Sequence, residues 1–145
     1  MGHYFGSALI ISALALQTGC GQKPKERLPV TPVTGKLTVA GKAVKQVELQ
    51  FHSKTPLADP MGKILAPSAT TNADGTFAPS TYDSRDGLPP GEYAITAQYP
   101  ELRVEQGETI VGPDTWNGKY NNPKQPLKSI TVGEQPLEIP TIDLH

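Results

Sequence analysis

Few side chains in this sequence could do chemistry. There is one thiol, Cys20, and there are three imidazoles, His3, His52 and His145. A thiolate is a good nucleophile and an acceptor for lipid. A lone cysteine forms no intrachain disulfide and no Cys-rich zinc site. Asn72, Asp74, Asp83 and Asp86 raise the question of calcium, which wants six to eight oxygens in one place. Asn72-x-Asp74-Gly75 has the opening of a calcium loop, but Asp83 stands where a bidentate Glu is needed. Turn chemistry is therefore the preferred reading: Asn and Asp bond their own backbone and Gly takes positive φ. Trp116 and Tyr120, with Asn117, Asn121 and Asn122, form an aromatic–amide cluster. Aromatics exposed on a loop stack on sugar rings while amides bond hydroxyls, so Trp116 and Tyr120 are candidate ligand-binding residues. The preferred reading is that they plug one end of the domain, with polar tips finding partners. His52 falls on the polar face of a strand and reads as a surface residue. No catalytic residue, metal ligand or cofactor site is assigned. No Gly-x-Ser-x-Gly elbow supports Ser-His-Asp catalysis.

Cys20 owes its interest to its position. No Lys, Arg, Asp or Glu precedes Lys23, and Tyr4 to Leu16 is mostly apolar. That run is shorter than the roughly 20 residues a membrane-spanning helix needs, and it fits the h-region of a secretory signal peptide. Thr18-Gly19-Cys20 resembles the end of a bacterial lipobox. The resemblance implies a diacylglycerol on the Cys20 thiol and cleavage that leaves Cys20 first. Gln17 stands where Leu is usual, and the n-region carries only His3. Ala13-Leu14-Ala15 offers a second site, of the ordinary signal-peptidase form, and with it plain secretion. The organisation read here is a lipoprotein signal peptide over 1–19, a lipidated Cys20 with a Pro-rich tether over 20–32, and a folded domain over 33–145. The tether, Gly21 to Pro32, has three Pro and no apolar periodicity, so it is extended and solvated.

The elements that must position these residues are strands. Apolar residues alternate at Val33, Gly35, Leu37 and Val39; at Val47, Leu49 and Phe51; and at Tyr93, Ile95, Ala97 and Tyr99. No segment has sustained helical periodicity. Val44 is out of phase with the second set, which predicts a bulge near Lys45. Asn72-Ala73-Asp74-Gly75 predicts a hairpin turn between Ala69–Thr71 and a strand starting at Phe77. Leu102–Glu105 and Glu108–Val111 flank Gln106-Gly107 and could form an extra hairpin. Ile130 and Val132 mark a late strand. Leu137, Ile139, Ile142 and Leu144 mark the last, with an edge or bulge at Pro140. About seven short strands between Gly/Pro-rich turns (14 Gly, 15 Pro) predict an all-β fold, an Ig-like or transthyretin-like β-sandwich. Charge is balanced, 13 Lys and Arg against 14 Asp and Glu, which gives no electrostatic case for nucleic acid.

Several phrases line up in order. They are VTGKLTVAGKAV from Val33, VELQF from Val47, TNADGTF from Thr71, GLPPGEY from Gly87, GKY from Gly118, and Pro126-Leu127 before Ile130-Thr131-Val132. Over about residues 33–144 the chain resembles the small carboxypeptidase-regulatory-like (transthyretin-like) lipoproteins of planctomycete bacteria. Ala43, Asn72 and Gln125 depart from the usual Pro, Asp and Ser. The resemblance implies a sandwich, export and lipidation, and no reaction. The transthyretin-like fold includes a hydrolase of 5-hydroxyisourate, whose His and Arg set and Tyr-Arg-Gly-Ser-like tail are absent here. The expected function is a non-enzymatic exported lipoprotein, a structural or binding module at the cell envelope, held to the membrane through lipid on Cys20. Its partner would be an envelope protein or polysaccharide. The alternatives are a carbohydrate- or glycoprotein-binding module using Trp116 and Tyr120, and an assembly domain pairing through an exposed sheet edge. Oligomeric state is left open.

Overall fold

The computed structural model describes residues 27–145. Cys20 and the expected signal peptide lie outside the described residues. The described chain is all-β, with eleven strands, several of only two or three residues.

One sheet is built around β1 (Val33–Val39). The strands β2 (Lys42–Ala43) and β5 (Thr76–Phe77) pair with it antiparallel. The strands β10 (Leu137–Glu138) and β11 (Ile142–Leu144) pair with it in parallel. The facing sheet has the order β4-β3-β6-β9, all antiparallel, from β4 (Ser68–Thr70), β3 (Glu48–Ser53), β6 (Gly91–Gln98) and β9 (Lys128–Val132). The strands β7 (Pro100–Glu105) and β8 (Glu108–Asp114) form a separate two-stranded ribbon.

The inward faces follow the alternation in the sequence. Val33 and Leu37 of β1 meet Leu49, Phe51, Tyr93, Ile95 and Val132 of the other sheet, all buried. Each such side chain contributes about 1.5–3 kcal/mol when fully buried. Gly35 occupies an inward position because the Phe77 ring lies where its Cβ would be. Tyr93 is fully buried, and its hydroxyl donates to the Pro89 carbonyl at 2.7 Å. That bond ties the start of β6 to the preceding loop, as in a tyrosine corner. Burial pushes the phenol up to about 12.

Two local expectations are corrected. The Asn72–Gly75 turn forms, with Gly75 N–H donating to the Asn72 carbonyl and φ of 79° at Gly75. It joins β4 to β5, however, which lie in different sheets. Beyond the Asn72 N–H bond to the Thr76 carbonyl that closes the turn, its limbs pair only at Ser68 and Ser80, so it is a crossover and not a hairpin between neighbouring strands. The phase break at Val44 has the same origin. After β2 the chain leaves the first sheet and turns at Gln46, with φ of 65°, to enter the second as β3. Thr71 holds that crossing, its hydroxyl donating to the Val44 carbonyl and accepting from Val47 N–H. The expected break at Pro140 is present. It divides the last segment into β10 and β11, which pair only with β1, the outer position that a residue without an N–H demands.

Candidate functional site

The strand β6 is the longest of the described strands, and its two ends differ in chemistry. At the Gly91 end the chain enters. Thr31 is buried, exchanges two backbone hydrogen bonds with Leu88, and donates its hydroxyl to the Gly133 carbonyl at 2.5 Å. Gly133 follows Val132, which pairs with Gly91. Gly87, at φ of 108°, lies so close to the Thr31 carbonyl that a Cβ there would overlap it. Before Thr31, Leu28 N–H donates to the Tyr82 hydroxyl. The Arg27 guanidinium lies 2.6 Å from the Asp83 carboxylate and 5.0 Å from the Tyr82 ring centre. Residues 27–32, read from the sequence as tether, are thus docked on the domain.

At the Gln98 end stands the aromatic–amide cluster. Trp116 is half-buried between two rings, 5.4 Å from Tyr99 and 5.2 Å from Tyr120, edge-on to the latter. All three pack against the core. The Tyr120 hydroxyl and the Lys119 amine both donate to the His145 backbone oxygen, at 2.6 and 2.7 Å. Lys119 also lies 4.8 Å over the Tyr120 ring. Asn117, Asn121 and Asn122 are exposed around this stack. The two candidate residues therefore come together, as parts of a cap over the end of the sheet, with the Tyr120 hydroxyl satisfied by the His145 backbone oxygen.

Asp114 builds that cap, and the sequence did not single it out. Its carboxylate accepts N–H bonds from Tyr99 at 2.8 Å, Trp116 at 3.1 Å and Gly118 at 2.8 Å. Partial burial alone would raise this carboxyl. The three backbone donors more than offset it and hold the group below its ordinary value. Asp86 does the same near the other end for Thr81, Tyr82 and Asp83. Burial opposes its ionisation too, and the backbone donors again prevail. Asp74 accepts from the Thr76 hydroxyl and N–H, which lower its pKa. The four oxygen-bearing residues considered for calcium are thus spent separately: Asn72 and Asp74 on Thr76, Asp86 on its own loop, Asp83 on Arg27. They do not converge. His52 lies on the outer face of β3, its Nε2 2.9 Å from the Thr96 hydroxyl.

A groove of about 720 Å³ with mixed apolar and charged lining opens where Pro140 breaks the last segment. Gly35, Phe77 and Ile139 contribute apolar lining; Lys36, Arg85 and Glu138 supply the charges. These come from three distant segments, and only the Pro140 break hinted at a gap here.

No protein-family model and no curated protein matches the chain. Solved structures with similarity to it include a 9R-lipoxygenase from Cyanothece PCC8801, at 15% identity and a TM-score of 0.41, matched over 80% of this chain and 16% of that one. The chain thus spans about a sixth of the lipoxygenase. A candidate carbohydrate-binding protein from Pseudomonas aeruginosa is similar at 19% identity and a TM-score of 0.37, over 81% of this chain and 91% of that one. Neither similarity carries an argument about what this chain does.

Proposed function

We propose that this protein is a non-enzymatic, exported lipoprotein module, anchored to an envelope membrane through Cys20 and displaying a β-sandwich away from it. The observation that carries this reading is the separation of the two ends. The chain arrives from Cys20 at the Gly91 end of β6, where Thr31 and Leu28 are fastened. The aromatic cap and the ribbon sit past Gln98, a strand of eight residues away, about 25 Å. A tether leaving one pole and a surface offered at the other suit an anchored display module. The phrases that resemble the carboxypeptidase-regulatory-like lipoproteins fall on β1, β3, the turn before β5, the loop before β6, Tyr120 and β9, and membership of that family is part of the proposal. The Asp74, Asp86 and Asp114 carboxylates are committed to holding turns, which fits a structural rather than a catalytic use. Intact mass of the native protein tests it: the expected mass is that of a chain starting at Cys20 plus lipid. The mass of an unmodified chain cleaved after Ala15 would overturn anchoring in favour of plain secretion.

A second reading is carbohydrate or glycoprotein binding at Trp116 and Tyr120. The exposed amides of Asn117, Asn121 and Asn122 beside the stack favour it. Loss of glycan retention in Trp116→Ala, with folding kept, would support it. Unchanged retention would leave the cap a purely structural role.

A further inference from the structure

The β7–β8 ribbon carries four of the six exposed large hydrophobic side chains among the described residues. It leaves the end of β6 and pairs with no other strand. Val104 and Val111 are 76% and 64% exposed, and Leu102 and Ile110 are about 40% exposed. Leu102 faces Val111 and Val104 faces Thr109, so these four share one face of the ribbon. Arg103, Glu105, Glu108 and Ile110 share the other. A two-stranded hairpin by itself is marginally stable in water; three or more strands are needed. Among the described residues, no backbone group from Glu101 to Glu105 bonds outside the ribbon. The β8 edge is blunted by Pro113, which lacks a donor, while β7 has no proline after Pro100.

The geometry points to a second copy of this chain as the missing partner, paired antiparallel along β7 about a two-fold axis through Val104. Charge complementarity suits this occupant and rules out the register centred on Arg103. One centred on Leu102 would also set Arg103 against Glu101, but would bring Glu105 onto Tyr99, whose N–H and carbonyl are already bonded to Asp114 and Thr115. Opposed residues of antiparallel strands share a face, so the apolar stripe stays continuous only when odd positions meet odd ones. Centring the axis on Arg103 would set Arg103 against itself and Glu101 against Glu105. Centring it on Val104 sets Arg103 against Glu105 twice, Val104 against Val104, and Leu102 against Gln106. Arg103 already holds Glu101 of its own strand at 2.9 Å, and its planar fork can serve both carboxylates. The product is a four-stranded sheet, β8-β7-β7-β8, with two apolar stripes joined. The acidic tip, Glu105 and Glu108, is at odds with an anionic lipid surface as the occupant. The pairing does not depend on whether Cys20 carries lipid.

The test uses the full chain with Cys20→Ser, so that no native thiol interferes. Sedimentation should show a concentration-dependent dimer. Arg103→Glu should weaken it roughly tenfold or more, because two attractive pairs become repulsive. Adding Glu105→Arg to that variant should restore it. Val104→Cys should oxidise to a covalent dimer, since residues facing themselves across a two-fold pair sit about 4.5–5.5 Å apart, within disulfide reach. Met61→Cys, equally exposed but in a loop, should not. A monomer at millimolar concentration would overturn the proposal. So would charge reversal without rescue, or cross-linking at Val104 no faster than at Met61.

Discussion

Single side chains hold this sandwich at its corners. The Tyr93 hydroxyl satisfies the buried Pro89 carbonyl. Tyr93→Phe should lose on the order of 1–3 kcal/mol, the usual result of stranding a buried acceptor. Chemical denaturation would measure it, and a change near zero would mean that water reaches Pro89. The pH dependence has a definite sign. A phenol raised above its ordinary value adds stability that is complete below about pH 10 and fades as pH rises toward about 12. The alkaline decline should therefore flatten in Tyr93→Phe. Asp114 works in the opposite direction. Its lowered carboxyl adds stability above about pH 4, lost as pH falls through the folded value. Asp114→Ala should cost on the order of 1–3 kcal/mol at neutral pH by removing the acceptor of the partly buried Tyr99 and Trp116 N–H groups. Its stability should fall less than that of the parent on acidification. Trp116 and Tyr120 were visible in the sequence as a cluster, because aromatic and Asn residues are rare enough here to stand out. Asp114 was not, because an Asp that accepts N–H groups from Tyr99 and Gly118 reveals itself only when the ribbon brings them together.

At the level of elements, period-two alternation located β1, β3 and β6, since each has one face against the other sheet. The Gln106-Gly107 turn located the ribbon, and both residues have the positive φ that a tight hairpin turn requires. The destination of a turn was not legible. Asn72-Ala73-Asp74-Gly75 has the same residue chemistry whether it returns the chain to its own sheet or hands it across. Gly75 is required in either case, and here doubly. Its φ is 79°, and a Cβ would strike the Leu37 carbonyl and crowd Ala43. Gly75→Val should destabilise by about 1–3 kcal/mol. A loss under about 0.5 kcal/mol, the usual surface value, would show that β1 and β5 can part without harm. The docking of Thr31 was hidden for a related reason. A Pro-rich stretch reads as tether until its one buried hydroxyl finds Gly133.

For the whole molecule, the fold class followed from pattern and composition. The strand number did not, because two- and three-residue strands around β1 leave no periodicity to count. The groove at Pro140 is likewise a product of assembly. Cys20 and the polarity of the module belong to the whole molecule. One acyl chain holds a protein only marginally, so the multiple chains that a lipoprotein carries are needed for stable anchoring. With the entry point fastened at Thr31, loss of the anchor should leave the domain folded. Membrane partitioning of the native protein against Cys20→Ser decides the matter most directly. The parent should sediment with membranes, and Cys20→Ser should appear as a folded soluble domain or as an unprocessed precursor. A parent protein found in the soluble fraction, behaving as the variant does, would contradict the anchored module.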